Sequence, residues 1–280
     1  MHTNCIDGMK TLPDNCIPLT ITSPPYGNMR TYGDEVGGYD WNVFTAIAEQ
    51  LARITMVGGV ICWVLRNKIH KGSENCQAER EKLHFVDELG LRPFQTIIGA
   101  PLGCPITNDR HGRYVANCDY IYVFSKERPR YAHVIRDKRN RRAGAIKSQR
   151  LTREPDGTEK VACGGNHVIP EFGLRTNVWQ YPVGGCHTAT DGALSRDHPA
   201  RMPESVAEDL IISYSTPNDV VFDPMAGAGT TLKMAMLNNR RFLGMELNAG
   251  YVKTIRKRLA HAETKCRPKK VAAFMNRFRS

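Results

Sequence analysis

The sequence has no apolar run that approaches the roughly 20 residues a membrane-spanning helix needs. Its first residues also lack the basic and apolar regions that make up a secretory signal peptide. These two absences argue against an integral membrane protein and against an exported one. We therefore expect a cytoplasmic protein that does not interact with a membrane.

Paired cysteines are missing as well. The nine cysteines are scattered singly, and no Cys-x-x-Cys spacing occurs. An odd number of isolated thiols is typical of reduced cysteines rather than of a disulfide framework. The segment from Cys163 to His167 and the pair Cys186-His187 could supply metal ligands, but the paired spacing of a zinc site is absent. We interpret them as incidental loop residues, and the sequence predicts no metal.

Acidic residues are scarce relative to basic ones. The chain has 28 Asp and Glu against 39 Lys and Arg, which gives a formal net charge of +11. This excess favours a polyanionic partner, and nucleic acid is the leading candidate. With 280 residues the chain can bury a full core, as one large α/β domain or as one domain with a sizeable insertion.

One glycine-rich loop follows an apolar strand but lacks both common phosphate-binding motifs. A P-loop would need Gly-x-x-x-x-Gly-Lys-Ser/Thr, and a dinucleotide fingerprint would need glycine where Asp223 stands. An acid directly after the strand favours a ligand with an ammonium group, and Glu246 ends the next predicted strand, where it can accept from ribose hydroxyls. An amino acid joined to ribose describes S-adenosylmethionine. The alternative is that Asp223 is only an acid at a helix N-terminus.

Apolar strands alternate with amphipathic helices along most of the chain. The predicted strands are residues 17–21, 60–65, 94–98, 120–124, 220–222 and 242–245. The predicted helices are residues 41–57, 75–89, 203–215, 230–238 and 249 to about 263. This alternation predicts an α/β fold with a parallel sheet covered on both faces.

A basic segment interrupts the alternation. Residues 125–160 are crowded with Arg and Lys and contain few apolar residues, and the chain stays loop-like to about residue 192. A solvated face or a disordered arm is the simpler interpretation, and a DNA-reading element is the alternative. Residues 265–280 are also basic, and we expect them to be frayed.

The stretch Thr22-Ser23-Pro24-Pro25-Tyr26-Gly27 follows the first predicted strand. The two prolines fix φ and lack an N–H, so the chain leaves the sheet as a stiff extended loop. This loop holds the Ser23 hydroxyl and the carbonyls of Ser23 and Pro24 as acceptors, beside the flat ring of Tyr26. Such a group suits an aromatic amine, although an ordinary Pro-Pro turn has the same pattern.

Ser23-Pro24-Pro25-Tyr26 near the start and the segment from Phe222 to Thr230 near the end resemble motifs of the permuted, β-group amino-methylating DNA methyltransferases. The resemblance extends to Asp7-Gly8-Met9-Lys10, Gly58-Gly59-Val60, Lys71-Gly72-Ser73 and the segment from His198 to Pro203. It implies a Rossmann-like, S-adenosylmethionine-dependent methyltransferase fold with a mixed sheet, circularly permuted motif order and an inserted target-recognition region. The implied organisation is a catalytic half at 1–124, the basic insertion at 125–197, a cofactor-binding half at 198–264 and a basic tail at 265–280.

The site residues predicted from the motifs and the resemblance form three groups. The catalytic group is Ser23, Pro24, Pro25 and Tyr26. The group for S-adenosylmethionine is Asp7, His198, Asp223, Pro224, Ala226, Gly227, Gly229, Thr230 and Glu246. The DNA-binding group is Arg136, Lys138, Arg139, Arg141 and Arg142.

The expected reaction is methyl transfer from S-adenosylmethionine to the exocyclic N4 of cytosine in double-stranded DNA, after the base is flipped out. Ser23 resembles the cytosine-N4 branch, but some adenine-N6 enzymes are similar there, so adenine-N6 methylation stays open. A second alternative is a DNA-binding protein that has lost catalysis, because Asn67 stands where related sequences often carry an acid. A restriction nuclease as a partner is equally left open.

Overall fold

A computed structural model describes residues 1–25, 38–103, 112, 114, 117–147, 150–163, 167–182, 189–195, 198 and 201–276. It divides into two compact units. The first combines Met1–His133 with Asn177–Ser280, and the second is Val134–Thr176. No helix among the described residues is long and apolar enough to cross a membrane.

The helices and strands are named in chain order. The helices are α1 Cys5–Lys10, α2 Trp41–Ile54, α3 Gln77–Leu83, α4 Glu204–Tyr214, α5 Thr230–Leu237 and α6 Ala249–Asn276. The strands are β1 Ile17–Thr22, β2 Thr55–Leu65, β3 Ile69–His70, β4 Ser73–Glu74, β5 Arg92–Leu102, β6 Asp119–Ser125, β7 Arg136–Arg139, β8 Ile146–Lys147, β9 Arg150–Arg153, β10 Glu159–Cys163, β11 His167–Val168, β12 Phe172–Leu174, β13 Val178–Pro182, β14 Val220–Asp223 and β15 Arg241–Gly244.

The first unit is built on a seven-stranded sheet with the order β13-β5-β6-β2-β1-β14-β15. β6 runs antiparallel to β5 and β2, and the other neighbours are parallel. The sheet is therefore mixed, as the resemblance implied, and the all-parallel sheet predicted from the alternation is wrong. Antiparallel neighbours, unlike parallel ones, need no crossover connection between them.

Both faces of this sheet are covered, as predicted. On one face Leu19 and Ile21 of β1 pack in a cluster with residues of α4 and α5. On the other face Ile61 and Trp63 of β2 pack with α2 and with Phe85, which follows α3. Burial on both faces explains why these strands are nearly continuous apolar runs.

β1 lies between β2 and β14, so the two predicted halves of the chain share one sheet. Leu19 pairs with Val221 and Thr20 with Phe222. The ends of β1 and β14 therefore meet at the same edge, although about 200 residues separate them in the sequence. This pairing brings Thr22 next to Asp223.

Several element boundaries differ from the prediction. α2 ends at Ile54 rather than at residue 57, because Thr55 is extended and begins β2 by pairing with Ile17. The predicted helix 75–89 consists of α3 and a π-helical turn, His84–Glu88. The basic tail was expected to be frayed, but the backbone of α6 is helical from Ala249 to Asn276.

The second unit contains three antiparallel ladders nested along one hairpin. β7 pairs with β12, β8 with β11, and β9 with β10. The unit, Val134–Thr176, covers fewer residues than the predicted insertion 125–197. Val178–Pro182, which follows it, joins the main sheet beside β5. The alternating burial of this strand, with Trp179 and Tyr181 facing the core, is the pattern of a half-buried strand.

Candidate active site and cofactor cavity

A cavity of about 310 Å³ opens at the edge of the sheet where β1 and β14 end. Its wall comprises residues 3–6, 23–25, 38, 39, 43, 47, 198, 201, 202, 223–228, 230, 231, 246, 247 and 251. This volume is at the lower end of the roughly 300–1,000 Å³ typical of small-molecule sites. The cavity brings together three of the four predicted catalytic residues and seven of the nine predicted cofactor residues.

The acceptor segment lies directly beyond β1. Ser23 and Pro25 are half-buried, and Pro24 is buried. Because Pro24 and Pro25 have no N–H to donate, their carbonyls are the only backbone hydrogen-bonding groups they offer. Tyr26, the fourth predicted catalytic residue, lies outside the described residues.

Asp223 is the last residue of β14 and is 4% exposed. Its Oδ1 accepts from the Thr22 hydroxyl at 2.8 Å and from the Met225 N–H at 3.1 Å. Burial raises the pKa of this carboxyl to about 6, against the opposing effect of the hydrogen bonds that it accepts. The acid is thus held in place, and its charge is only lightly solvated.

The glycine loop after Asp223 has the conformation that glycine permits. Gly227 and Gly229 have φ of +51° and +76°, which L side chains rarely adopt. A Cβ at Gly227 would lie 2.6 Å from Nε2 of His198, so the loop backbone passes close to the imidazole. The His198 ring in turn lies 4.6 Å from the ring of Tyr251. Gly229 does not line the cavity and begins α5 as its N-cap residue.

Glu246 follows β15 and faces the same loop. Its Oε2 accepts from the Gly227 N–H and its Oε1 from the Asn248 N–H, each at 2.8 Å. Burial raises the pKa of this carboxyl too, in opposition to these hydrogen bonds. Each oxygen retains a lone pair for a further donor.

Asp7 is not part of the cavity. It lies on the outer side of α1, where its carboxylate is 70% exposed and pairs with Lys10 at 3.3 Å. Asn4, Cys5 and Ile6 line the wall instead. The Asn4 side chain accepts from the Ile6 N–H at 2.9 Å and caps α1. An Asn before a short apolar segment is a helix-start signal that could have identified Asn4 from the sequence.

The sequence prediction also missed Tyr39, Val43, Ile47 and Arg201. Val43 and Ile47 lie one turn apart on α2 and add an apolar patch to the wall. Arg201 is the one Arg or Lys among the described lining residues, and its Nη1 donates to the Gly192 carbonyl at 3.2 Å. Their spacing in the sequence carries no signal of a shared cavity.

Asn67, at the position where the resemblance implies an acid, has a structural role here. Its Oδ1 accepts from the Ala78 N–H at 2.9 Å, and its Nδ2 donates to the Glu79 carboxylate at 2.8 Å. These contacts satisfy backbone and side-chain groups in the first turn of α3. Asn67 is not among the described residues that line the cavity.

The donor set of the cavity fits S-adenosylmethionine. Two carboxylates, Asp223 and Glu246, suit an ammonium group and ribose hydroxyls, and Arg201 suits a carboxylate. The apolar patch on α2 suits an aromatic base. The Cβ that Gly227 lacks would fill space next to His198, as expected for a loop that lets the backbone approach a ligand.

The five predicted DNA-binding residues lie in the second unit, and all are exposed: Arg136, Lys138, Arg139, Arg141 and Arg142. Within the part of the chain that the structure describes, none of them forms an ion pair with an acid. The neighbouring acid Asp137 is paired with Arg175 at 2.6 Å.

The tip of the hairpin differs from this basic region. Arg153 lies 3.8 Å from Glu159, and Lys160 lies 3.9 Å from Glu154. Positive charge is therefore compensated near the turn between β9 and β10. In contrast, the arginines and lysines from β7 to the turn that follows it have no acid partner among the described residues.

Comparisons with known proteins agree with this geometry. The model of the N6/N4 methyltransferase family, described as DNA methylase, matches residues 17–257. The orphan methyltransferase M.BamHII of Bacillus amyloliquefaciens is 38% identical over 253 residues, which are 89% of this chain and 91% of that protein.

Solved structures share the fold. The cytosine-N4-specific PvuII DNA methyltransferase gives a TM-score of 0.67 at 17% identity, over 91% of this chain and 84% of that chain. The M1.HpyAVI–SAM complex gives 0.56 at 18% identity, over 92% and 97%. The fold is Rossmann-like, and the cofactor is S-adenosylmethionine. The chain therefore belongs to the N6/N4 DNA methylase family and is an S-adenosylmethionine-dependent DNA methyltransferase.

Proposed function

We propose that this enzyme methylates the exocyclic N4 of cytosine in duplex DNA and that it belongs to the circularly permuted group of its family. The observation that carries the proposal is the position of Ser23-Pro24-Pro25 on the wall of the cavity that contains Asp223 and Glu246. Ser23 stands at the first position of the catalytic motif, and a serine there resembles the motif of the cytosine-N4 branch of the family. The PvuII enzyme, whose name states that specificity, has the same fold.

The acceptor segment activates the amine. The lone pair of an exocyclic amine is delocalised into the base, which makes the nitrogen a weak nucleophile. Ser23 Oγ and the Pro24 carbonyl would accept its two N–H groups and favour a tetrahedral nitrogen with a localised lone pair, and the N–H proton lost on methylation would pass to water. Because the two prolines make the segment stiff, little reorganisation is needed during the reaction.

Residues around the glycine loop hold the methyl donor. Bound S-adenosylmethionine supplies a methyl group on a positively charged sulfur. Asp223 accepts from the ammonium group of its amino acid portion, and Glu246 accepts from the ribose hydroxyls. Arg201 and His198 face the carboxylate, whereas Val43 and Ile47 cover the base. At the N-terminal end of the first helix, the cap residue Asn4 lines the cavity in place of the predicted Asp7.

The hairpin of the second unit binds the DNA. A two-stranded β-ribbon has the width of the major groove, and exposed arginines and lysines neutralise phosphates or contact guanine edges. The target cytosine leaves the stack, and Tyr26 provides the face on which it stacks. Stacking on one aromatic ring contributes about 1–3 kcal/mol per base, comparable with the cost of flipping.

Nucleoside mass spectrometry tests the proposal. The purified protein is incubated with mixed-sequence duplex DNA and S-adenosylmethionine, and the DNA is digested to nucleosides. We expect N4-methylcytosine with the wild type, and its loss with Ser23→Ala. N6-methyladenine without N4-methylcytosine would contradict the proposal and support the adenine alternative.

The remaining alternative is a DNA-binding protein without catalysis. It predicts no methylated nucleoside, with DNA affinity retained. Titration calorimetry measures the affinity of the same samples for S-adenosylmethionine. A preparation that binds neither the cofactor nor DNA is inactive and does not support this alternative. Binding of the cofactor without methylation of any duplex would contradict the proposed reaction.

A further inference from the structure

Four charged side chains are buried together behind the glycine loop. Asp191, Glu204, Lys233 and Arg258 are 6%, 7%, 2% and 0% exposed, and they come from four separate segments of the chain. The cluster contains two acids and two bases, so its formal charges cancel. We refer to these four residues as the buried charge cluster.

Each acid in the cluster contacts both bases. Lys233 Nζ lies 3.0 Å from Oδ1 of Asp191 and 2.6 Å from Oε1 of Glu204. Arg258 donates from Nε to Oδ2 of Asp191 at 3.1 Å and from Nη2 to Oε1 of Glu204 at 2.9 Å. Burial by itself raises the pKa of Asp191, but the hydrogen bonds from Arg258 and Lys233 outweigh it and lower this pKa to about 2.

Arg258 also reaches the wall of the cavity. Its Nη1 donates to the Ala228 carbonyl at 2.6 Å and to the Thr230 hydroxyl at 3.2 Å, and both residues line the cavity. One turn earlier on α6, Ile255 packs against Gly229. A Cβ added to Gly229 would lie only 2.9 Å from Cγ1 of Ile255. α6 therefore fixes the glycine loop at two adjacent points.

The cluster is connected to a second part of the wall. Glu204 begins α4 directly after the segment that contributes His198, Arg201 and Met202 to the cavity. Arg201 donates to the carbonyl of Gly192, which is the neighbour of Asp191. Two cavity-lining segments that are distant in the sequence are thus joined through the same four charges.

Stability alone is a poor explanation for such a cluster. Desolvation of buried charges offsets much of their mutual attraction, and apolar replacements of a buried ion pair are often neutral or stabilising. What an apolar cluster cannot do is hydrogen-bond the Ala228 carbonyl. Five N–H groups in a rigid plane let one arginine satisfy two carboxylates and this carbonyl together.

We propose that Arg258 is a positioning residue for the binding of S-adenosylmethionine. Through its hydrogen bonds to Ala228 and Thr230, Arg258 holds the glycine loop in the conformation that binds the cofactor. Lysine at this position would keep the charge but could not span the carboxylates and the carbonyl at once. Arg258→Lys should therefore remain folded and bind the cofactor about tenfold more weakly.

Lys233→Arg is the matched control. It also exchanges one buried cation for the other type in the same cluster, but among the described residues the Lys233 side chain bonds to Thr190, Asp191 and Glu204 and not to the glycine loop. Lys233 reaches the loop only through its backbone N–H, which donates to the Gly229 carbonyl and is kept in the variant. Titration calorimetry should give a cofactor Kd within about twofold of wild type for this variant, at a loss of Tm similar to that of Arg258→Lys. Hydrogen exchange at residues 226–230 should be faster only in Arg258→Lys.

Equal changes of Kd in the two variants, or no change in Arg258→Lys, would overturn the proposal. If Arg258→Lys does not fold, Asp191→Asn provides the same test, since it removes the acid that orients the guanidinium and leaves the cavity wall intact. A severalfold weaker Kd with faster exchange at residues 226–230 supports the proposal, and a wild-type Kd contradicts it. The measured quantity is cofactor binding, so the outcome does not depend on which base is methylated.

Discussion

The cavity and the basic hairpin carry charge in opposite ways. In the cavity, Asp223 is 4% exposed, and both Asp223 and Glu246 accept backbone hydrogen bonds. On the hairpin, the five predicted DNA-binding cations are exposed and form no ion pair within the described residues. Fixed, desolvated charge suits one small ligand, whereas exposed, unpaired charge suits a polyanion.

This difference separates the functions that each region can affect. Groups fixed in a poorly solvated site act strongly on chemistry and on a bound ligand, because water screens them little. Exposed cations are screened by salt and contribute sequence-independent affinity through the counterions that they displace. Changes in the cavity should therefore alter turnover and cofactor affinity without altering the salt dependence of DNA binding, and changes in the hairpin should do the reverse.

The largest expected effect is that of Ser23→Ala on turnover. Removing one pre-positioned hydrogen-bonding group from a reaction site lowers kcat by about 100-fold in comparable cases. Calorimetry should give an unchanged cofactor Kd, and anisotropy should give an unchanged salt slope for DNA binding. Methylation is measured by transfer of labelled methyl groups to duplex DNA.

Ser125→Ala is the control for this substitution. Ser125 is buried at the end of β6, and its hydroxyl has no hydrogen-bond partner among the described residues. Its removal should leave kcat within about twofold of wild type. Wild-type turnover in Ser23→Ala would remove serine from the proposed mechanism.

The second effect concerns the hairpin and is opposite in kind. Replacing Arg139, Arg141 and Arg142 together by Gln should flatten the slope of log affinity against log salt by about 0.9 for each phosphate contact that is lost. Three lost contacts would change the relative affinity by roughly 40-fold between 50 and 200 mM salt. The cofactor Kd should not change. Fluorescence anisotropy with a duplex at several salt concentrations measures the slope.

The paired cations at the hairpin tip provide the matched control. Arg153 and Lys160 each have an acid within 4 Å, Glu159 and Glu154 respectively. Replacing both cations by Gln should leave the slope nearly unchanged, because their charge is already compensated. A flattened slope for the tip variant, or a wild-type slope for the triple variant, would show that DNA contacts the hairpin elsewhere.

The sequence predicted the parts of the fold that depend on local patterns. β1, β14 and the loop around Asp223 are contiguous segments in which strand, turn and helix signals follow one another, and seven predicted cofactor residues converge on one cavity. Asp7, which was predicted from the resemblance alone, lies outside the cavity, whereas Asn4, Cys5 and Ile6 line it. The alternation of helices and strands does not by itself predict the direction of each strand, so it missed the antiparallel direction of β6.

The buried charge cluster could not be predicted. Arg258 and Asp191 are 67 residues apart, and each looks like an ordinary surface charge in the sequence. Their burial results from the packing of α6 against the glycine loop, which is a tertiary property. The same holds for Arg201, whose place on the cavity wall depends on where α4 begins.

The smallest predicted effect is a pH dependence that only the cavity should show. The pKa of Asp223 is raised to about 6 by burial, so the carboxyl gains a proton as the pH falls through 6. A protonated acid attracts an ammonium group poorly, and the cofactor Kd should rise about tenfold between pH 7 and pH 5. Glu246 has a raised pKa as well and shifts the affinity in the same direction.

Calorimetry of wild type and Asp223→Asn at several pH values tests this prediction. The variant should bind more weakly at pH 7 and lose most of the pH dependence, whereas Glu246→Gln should keep most of it. The contribution of Asp223 to folding of the free protein has the opposite sign, because an acid whose folded pKa is raised loses stability as the pH rises from about 4 to 6. The arginines and lysines of the hairpin stay charged throughout this range, so their contribution to DNA binding should not change. An equally pH-dependent Asp223→Asn variant would assign the titration to another group.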